Sequence, residues 1–420
     1  MTSLTAPATW PGHTRGSAEY RRLLAALFCA GVATFAQLYS PQAVLPLIAA
    51  DLGTGAAHAA LTVSAATVGL ALGVIPWSVL ADRIGRVQAM TISVAAATVL
   101  GLLVPFAPTA GLLLGGRLVE GLILGGVPAV AIAYLTEEIA SGHAARAAGT
   151  YVAGTTIGGL TGRLVTGPIA QYAGWRAGVL TVAVLCALAA TAFVKLAPRA
   201  QGFTPSRSRD LGAKLLTNLR SPRQLVLFSQ GFLLMGGFVA MYNFLGFRLM
   251  AAPFRLPQTL VSLVFLAYLA GTWASARAGV EAGRFGRRTV LLASTATMVA
   301  GTAITLSDNI FAVLAGLVLA TAGFFGAHSI ASGWVGTAAA DSKAQASSLY
   351  NLCYYAGSSV IGWFGGVAFD AAGWSAVAGT VIGLAVVSGL LAAVTLRTAE
   401  SPDRTRTPDA DRSSAAPIRR

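Results

Sequence analysis

The sequence predicts an all-α polytopic membrane protein with twelve transmembrane helices in two pseudo-symmetric bundles of six. Three observations predict it: an apolar composition, a one-sided distribution of positive charge and an internal repeat. Of the 420 residues, 55% are hydrophobic and only 10% are charged, and the mean hydropathy is +0.70. A soluble domain carries about 25% charged residues, so the composition excludes an ordinary soluble enzyme of one or two domains.

Twelve spans fit the apolar part of the chain. Polar residues dominate both ends and one middle segment, and a membrane-crossing helix needs roughly 20 apolar residues plus a short loop. We expect spans at residues 23–48, 59–80, 89–107, 111–134, 147–170, 176–196, 224–248, 259–280, 289–307, 309–334, 346–369 and 375–396. An N-terminal segment, a first bundle, a linker, a second bundle and a disordered tail then occupy 1–22, 23–196, 197–223, 224–397 and 398–420.

Positive charge is concentrated on one side of these spans. Of 29 Lys and Arg residues, 24 fall on the side of both termini and the linker, three fall on the other side, and Arg117 and Arg163 lie within spans. Because positively charged loops stay in the cytoplasm, we expect both termini and the linker there. A net charge of +14 would suggest nucleic acid in a soluble protein. Here the basic runs lie in short loops between spans, so we expect the lipid bilayer as a partner and no nucleic acid.

The two bundles repeat each other in sequence. Residues 78–87 and 279–288 agree at five of ten positions, at an offset of 201. Residues 148–175 and 347–374 share six identities at an offset of 199. Six spans in each half make the repeats parallel, and paired bundles of this kind move a substrate by rocking about a site at the midplane.

The loop after the second span of each half carries a motif. In LADRIGRVQ, the residues that match G-x-L-A-D-R-x-G-R-[RK] are Asp82, Arg83, Gly85 and Arg86. The second copy, GVEAGRFGRR, contributes Gly279, Arg284, Gly286, Arg287 and Arg288. Together the two copies resemble the signature loop of the major facilitator superfamily. The resemblance implies a latch that pairs the halves and holds the outward-open state; the alternative is a loop that only sets membrane orientation.

Two further motifs are similar to the drug:proton antiporter branch of that superfamily. GRLVEG in the fourth span matches the pattern R-x-x-q-G, with Glu120 in place of the usual glutamine. GTTIGGLTGRLVTGP in the fifth span loosely resembles the glycine-rich fifth-helix motif of exporters. Its glycines at 154, 158 and 162 are spaced by four, which lets a second helix approach closely.

Charged residues within the spans are the candidates for coupling and substrate binding. Arg117 and Glu120 are three residues apart and share a helix face, where they form either a neutralised structural pair or a proton or substrate site. Arg163 binds an anionic substrate group, pairs with Glu120, or extends toward the membrane interface. Glu120 is the acidic residue placed well within a span, so we expect it to carry the proton, with Arg117 or Arg163 as its switching partner.

Polar and aromatic residues of four spans are the candidates for lining an amphipathic pocket. They are Tyr39, Gln42, Tyr242, Asn243, His328, Tyr350, Asn351, Tyr354 and Tyr355. Aromatic residues near helix ends are also common interface anchors, so each residue alone has a structural alternative.

The resemblance implies a secondary active transporter of the bacterial inner membrane. We expect a monomer that exports a small organic compound in exchange for protons, with no catalytic residue, no metal and no cofactor beyond the proton gradient. Proton-coupled uptake of a sugar or an organic acid is the alternative. A membrane enzyme or receptor is a remote alternative, because no clustered nucleophile and base or metal set is visible. The sequence lacks G-x-x-x-x-G-K-[ST], so ATP is not expected to drive the protein directly.

The charge asymmetry makes a prediction about topology. Alkaline phosphatase folds only outside the cytoplasm, so a fusion after Leu211 should be inactive and a fusion after Asp308 should be active. Enzyme activity in intact cells measures both, and the reverse pattern would contradict the orientation.

Overall fold

The computed structural model describes residues 10–203, 211–339 and 342–396. Helices joined by short turns make up the fold in these ranges. The first half contains α1 to α7, which are Ala18–Tyr39, Leu45–Leu52, Ala56–Ile84, Arg86–Leu103, Ala110–Leu124, Gly126–Glu138 and Ser141–Leu196. The second half contains α8 to α14, which are Leu211–Leu219, Pro222–Met250, Gln258–Ser262, Tyr268–Phe285, Arg287–Ile304, Ile310–Ala338 and Lys343–Thr395.

Nine helical segments of the described residues are long and apolar enough to cross a membrane. Two of them, α7 and α14, have 56 and 53 residues and bend at Gly174 and Gly373, so each comprises two arms of spanning length. The 18-residue α12 lies where the ninth span is predicted. Divided in this way, the helices match the predicted spans in position. That all twelve cross the bilayer, with both termini in the cytoplasm, stays a prediction.

Four glycines form the sharp corners of the chain. Gly85 and Gly286 follow α3 and α11 with φ of 97° and 82°, and Gly174 and Gly373 bend α7 and α14 with φ of 82° and 65°. Side chains disfavour such positive φ values. Each pair occupies equivalent positions of the sequence repeat, so the two halves turn alike. We call the face with Gly85 and Gly286 the basic face, and the face with Gly174 and Gly373 the distal face.

Glycines also bring α1 against α7 and α9 against α14. A Cβ atom at Gly158 would lie 2.6 Å from the carbonyl oxygen of Val32, and one at Gly357 would lie 2.0 Å from that of Phe232. The two glycines are equivalent in the repeat. The backbones therefore touch, as the glycine spacing predicts, and this is how small residues allow helices to pack in a membrane.

The predicted domain boundaries stay a prediction, and the helices lie as follows around two of them. α1 begins at Ala18 rather than at residue 23, and the segment before it is fastened to the first bundle by the backbone N–H of His13, which donates to the Glu138 carbonyl at 2.7 Å. The linker 197–223 contains the helix α8. Residues 204–210 of the linker and the tail 398–420 lie outside the described residues.

The α1–α7 contact predicts the effect of one added methyl group. Gly158→Ala should lower the stability of the folded protein by about 1–3 kcal/mol, because the Cβ atom meets backbone that cannot move aside alone. Gly115→Ala is the matched control, since nothing lies within 4 Å of its Cβ position. Thermal unfolding in detergent measures both, and equal unfolding temperatures would contradict the close packing.

Candidate functional site

A buried arginine fastens a break in α1. Pro41 has no N–H to donate to the carbonyl of Gln37, and the chain turns through the 3₁₀ segment Ser40–Val44 before it continues as α2. Arg117 replaces the missing donors: Nη1 lies 3.3 Å from the Gln37 carbonyl and Nη2 lies 2.5 Å from the Leu38 carbonyl. A cation at the end of a helix also interacts favourably with its dipole.

Glu120 neutralises this arginine. Its Oε2 accepts from Arg117 Nη1 at 2.5 Å, and its Oε1 accepts from Gln37 Nε2 at 2.5 Å. Arg117 and Glu120 are each 1% exposed. Both oxygens therefore have partners, which agrees with the structural-pair interpretation of Arg117 and Glu120.

Arg163 has a different environment. Its Nε donates to Gln42 Oε1 and its Nη1 to the Gly159 carbonyl, both at 2.7 Å. It is 3% exposed, and no carboxylate of the described residues pairs with it. The predicted alternative of an Arg163–Glu120 pair is not formed, because Glu120 is held by Arg117 and Gln37.

Three aromatic rings surround the Arg163 guanidinium. The rings whose centroids lie 4.2, 5.0 and 5.1 Å from it are those of Tyr39, Tyr268 and Phe265. Two of these residues belong to the second half. Arg163 therefore lies between the halves, where cation–π attraction partly compensates the loss of water.

Gln42 connects Arg163 to the second half. While its Oε1 accepts from Arg163, its Nε2 donates to Asn243 Oδ1 at 2.7 Å. The two residues are 201 positions apart, close to the repeat offset, so the bond joins corresponding parts of the halves. Both side chains are almost fully buried.

An aromatic wall extends from Arg163 through the second half. Tyr242 lies 5.2 Å from Phe265, its hydroxyl shares a 2.7 Å hydrogen bond with Thr321, and Phe238 stacks on Phe324 at 4.0 Å. We define the aromatic wall as Tyr39, Phe238, Tyr242, Phe265, Tyr268, Phe324, His328, Tyr350 and Tyr354. The wall makes the region between the halves largely apolar, with hydroxyl groups at intervals.

The remaining pocket candidates contact one another, with the exception of Asn351. His328 Nδ1 shares a 2.8 Å hydrogen bond with the Tyr350 hydroxyl, and its ring lies 4.9 Å from that of Tyr354. Tyr355 contacts Tyr354 with ring centroids 5.3 Å apart. Asn351 is exposed and makes none of these contacts. The structure thus brings together all the predicted pocket residues except Asn351.

The halves are sealed at the distal face by two equivalent clasps. Asp370 of α14 accepts from the backbone N–H groups of Ala56 and Ala57, which begin α3, at 3.1 and 3.2 Å. Its repeat equivalent, Gln171 of α7, accepts from the N–H of Thr259 in α10 at 2.9 Å. Each clasp therefore caps a helix of the other half.

A glycine in close contact with the other half lies one turn before each clasp. A Cβ atom at Gly366 would lie 2.4 Å from the Ala57 Cα, and one at Gly167 would lie 1.5 Å from the Ser262 Oγ. Thr67 and Ser359 add a 2.7 Å bond between the halves nearer to the middle. Among the described residues, side-chain hydrogen bonds between the halves extend from the Thr67–Ser359 level, near the middle of α3, to the distal face.

Comparisons with known proteins identify the family. A family model described as Major Facilitator Superfamily matches residues 26–280 and 247–419. The Inner membrane transport protein YnfM of Escherichia coli (strain K12) is 39% identical over 379 residues, which span 90% of this chain and 91% of that protein. The chain belongs to the major facilitator superfamily. It is a multi-pass membrane transporter rather than an enzyme, and transporters of this superfamily generally need no cofactor.

Other relatives agree with this assignment. The MFS-type transporter YybF of Bacillus subtilis (strain 168) is 35% identical over 392 residues, 93% of this chain and 97% of that protein. The solved nucleoside transporter NupG has a TM-score of 0.73 at 16% identity, covering 88% of this chain and 99% of that chain. A bacterial homolog of the human lysosomal transporter Spinster has a TM-score of 0.72 at 16% identity, covering 90% and 96%. The likeness to these two structures shows the fold of the superfamily.

The signature loop of the first half makes its bonds within that half. Arg86 donates to Asp82 at 2.6 Å and to Glu137 at 2.9 Å, and the Phe203 ring lies 5.0 Å from its guanidinium. The predicted pairing of the two halves by this loop is not formed in this conformation. The reason is geometric, because the halves meet at the distal face while this loop lies at the basic face.

The loop of the second half behaves in the same way. Arg287 donates to Thr337 Oγ1 at 2.5 Å, and Arg288 donates to the Ala393 carbonyl at 2.6 Å. Arg284 lies 4.0 Å from Glu281. All three arginines bond within the second half.

The clasp residues are functional candidates that the motif search missed. Asp370 and Gln171 occupy equivalent positions in the 148–175 and 347–374 alignment, each four residues after a repeated glycine. That shared position next to a close crossing is the signal that could have identified them. Gln37, Phe265 and Tyr268 carry no comparable signal.

The clasp geometry predicts a shift between conformations. Asp370→Asn should favour separation of the halves at the distal face by up to about fivefold, because a carboxylate at a helix N-terminus is worth about 0.3–1 kcal/mol. Distances between spin labels on the distal turns of the two halves, measured in nanodiscs, report the shift. Asp308→Asn is the control, since Asp308 is exposed at the same face and lies 3.4 Å from Arg248 of its own half. An equal shift in the control would mean that Asp370 acts only through surface charge.

Proposed function

We propose that the protein is a secondary active transporter that exports a small organic compound by alternating access in exchange for protons, acting as a monomer with its basic face in the cytoplasm. The observation that carries the proposal is the convergence of both halves on Arg163, together with a seal confined to the distal side. The compound would enter between the halves from the basic face and contact the aromatic wall.

The seal, meaning the contacts that join the halves at the distal side, is weak enough to open and close reversibly. Its members are hydrogen bonds, each contributing about 0.5–1.5 kcal/mol net, together with glycine crossings that need no side chain to move aside. Separating the clasps therefore costs a free energy that new contacts at the basic face can offset. The signature loops, which carry Asp82 and the arginines of both halves, are the groups available to form those contacts.

Export is favoured by the motifs of the fourth and fifth spans, which resemble those of drug:proton antiporters. Uptake remains the opposite outcome of the same experiment. Transport into everted membrane vesicles under an imposed proton gradient tests the direction, with a panel of radiolabelled organic compounds. Accumulation inside everted vesicles supports export, and accumulation only in right-side-out vesicles overturns it.

Glu120 is the group to which we assign the coupling proton. It is an acidic side chain fully buried within a span, and its partner Gln37 lies five residues before Gln42 on the broken stretch of α1. A compound that contacts Gln42 would disturb this stretch and, through Gln37 and Arg117, the bonds that hold the carboxylate. Loss of these bonds would free the carboxylate for the proton that the coupled exchange carries.

The assignment predicts separate effects on exchange and accumulation. Glu120→Gln keeps an oxygen that can accept from Arg117 but cannot carry the proton. It should therefore still exchange compound across the membrane and fail to accumulate it under a proton gradient. Both activities are measured per amount of folded protein, because an unneutralised Arg117 is expected to reduce the yield.

Glu19→Gln serves as the matched control, since Glu19 is exposed at the start of α1. It should retain both activities. Full accumulation by the Glu120→Gln protein would show that Glu120 is only a structural counter-ion, and would make His328 and Asp82 the next groups to test.

A further inference from the structure

We infer that the transported compound is an organic anion, with a single negative group that binds Arg163 and an apolar or aromatic body that lies against the aromatic wall. This inference rests on the proposed transport function and adds the chemical class of its substrate.

The first argument is the unmatched charge of Arg163. A guanidinium has five N–H donors, and Arg163 uses two of them, both on neutral acceptors. The other buried arginine of the interior, Arg117, is neutralised by Glu120. An ionised residue inside a membrane protein is expensive unless it is paired, so Arg163 is the site where an incoming negative charge would be most stabilised.

The second argument is the geometry of the free donors. The planar guanidinium matches carboxylate, sulfonate and phosphate oxygens, which can accept two parallel N–H bonds. Arg163 Nη2 has no partner among the described residues, and its Nη1 uses one of two N–H groups. Gln42 and Gly159 fix the orientation of the plane, so the free edge is positioned before a ligand arrives.

The third argument concerns the rest of the compound. Tyr39 and Tyr268 flank the guanidinium, and the wall continues to Phe238 and Phe324. These rings offer apolar area and stacking surfaces and supply no carboxylate. A cationic body would be repelled by Arg163, whose charge already faces these rings.

Binding of an anion at Arg163 would also change a contact with the second half. Gln42 accepts from Arg163 and donates to Asn243. An anion that shares the positive charge of Arg163 weakens its bond to Gln42, and Gln42 is one of the residues that join the halves. Gln42 is thus a positioning residue whose bonds differ between the empty and loaded states.

The sign of the charge also agrees with export. A potential of about 100 mV, negative inside, favours a monoanion outside by about fiftyfold at equilibrium. The potential would thus assist export of an anion, whereas it would oppose export of a cation.

The experiment compares probes of one shape and different charge. Benzoate, phenylphosphonate, benzamide and benzylamine are added at millimolar concentration to the purified protein, and the unfolding temperature is measured. We expect the two anions to stabilise the wild-type protein. Arg163→Gln should remove that stabilisation, and Arg163→Lys, which keeps the charge but loses the planar fork, should weaken anion binding by about tenfold or more.

Arg176→Gln is the matched control, because Arg176 pairs with Asp51 at the distal surface and should leave the anion effect unchanged. Anion stabilisation that persists in Arg163→Gln overturns the inference. A wild-type protein that binds only benzamide or benzylamine, or that no anion stabilises, overturns it too. Transport in everted vesicles is scored separately: vesicles that accumulate only neutral or cationic compounds uphold the proposed export while rejecting the anion.

Discussion

The hydrogen bonds that Arg117 donates to the carbonyls of α1 are the interaction on which the centre of the molecule depends. A helix that breaks inside a membrane leaves backbone groups that lipid cannot satisfy. Arg117 satisfies two of them, and Glu120 cancels the charge that this requires. Because the break is stabilised, the chain leaves the path of α1 after Tyr39, and Gln42 reaches Asn243 of the second half. The Arg117–Glu120 ion pair therefore stabilises the fold. A role in proton coupling would depend on the same hydrogen bonds.

The repeat explains which features occur twice, and the departures from it mark the specialised ones. Both halves share the corner glycines, the close crossings and the distal clasps. The helix α9, which corresponds to α1, has no proline after Pro222 and runs unbroken to Met250, so it needs no arginine to fasten it. The position equivalent to Arg163 is Gly362, which packs against Asn243. The first half thus holds the interior charges, whereas the second half supplies most of the aromatic wall.

Hydropathy, charge asymmetry and the repeat were enough to predict the helices and the loops between them, because these depend on residue type and order alone. They also placed Arg117, Glu120 and Arg163 in the interior. The partner of each charge was not predictable. Whether Glu120 meets Arg117 or Arg163 depends on how α5 and α7 are rotated, and hydropathy does not encode rotation. The break in α1 was signalled by Pro41 and Pro46 within one span. Asp370 looked like an ordinary residue at a span end, and its hydrogen bonds to Ala56 and Ala57 show that it joins the halves.

The distal face and the basic face differ in their charged groups, and this difference determines which contacts can join the halves at each face. At the distal face, the halves are joined by backbone N–H groups and by oxygens of Asp370 and Gln171, which keep their hydrogen-bonding capacity when exposed to water. At the basic face, Arg86, Arg287 and Arg288 of the signature loops bond within their own halves. In the proposed transport cycle, closing that face would bring like charges together, and acidic residues such as Asp82, Glu137 and Glu281 would neutralise them. We therefore propose that the signature acid acts where the two basic loops approach each other, whereas the distal face, with few basic residues, is joined by neutral bonds and a single carboxylate at a helix end.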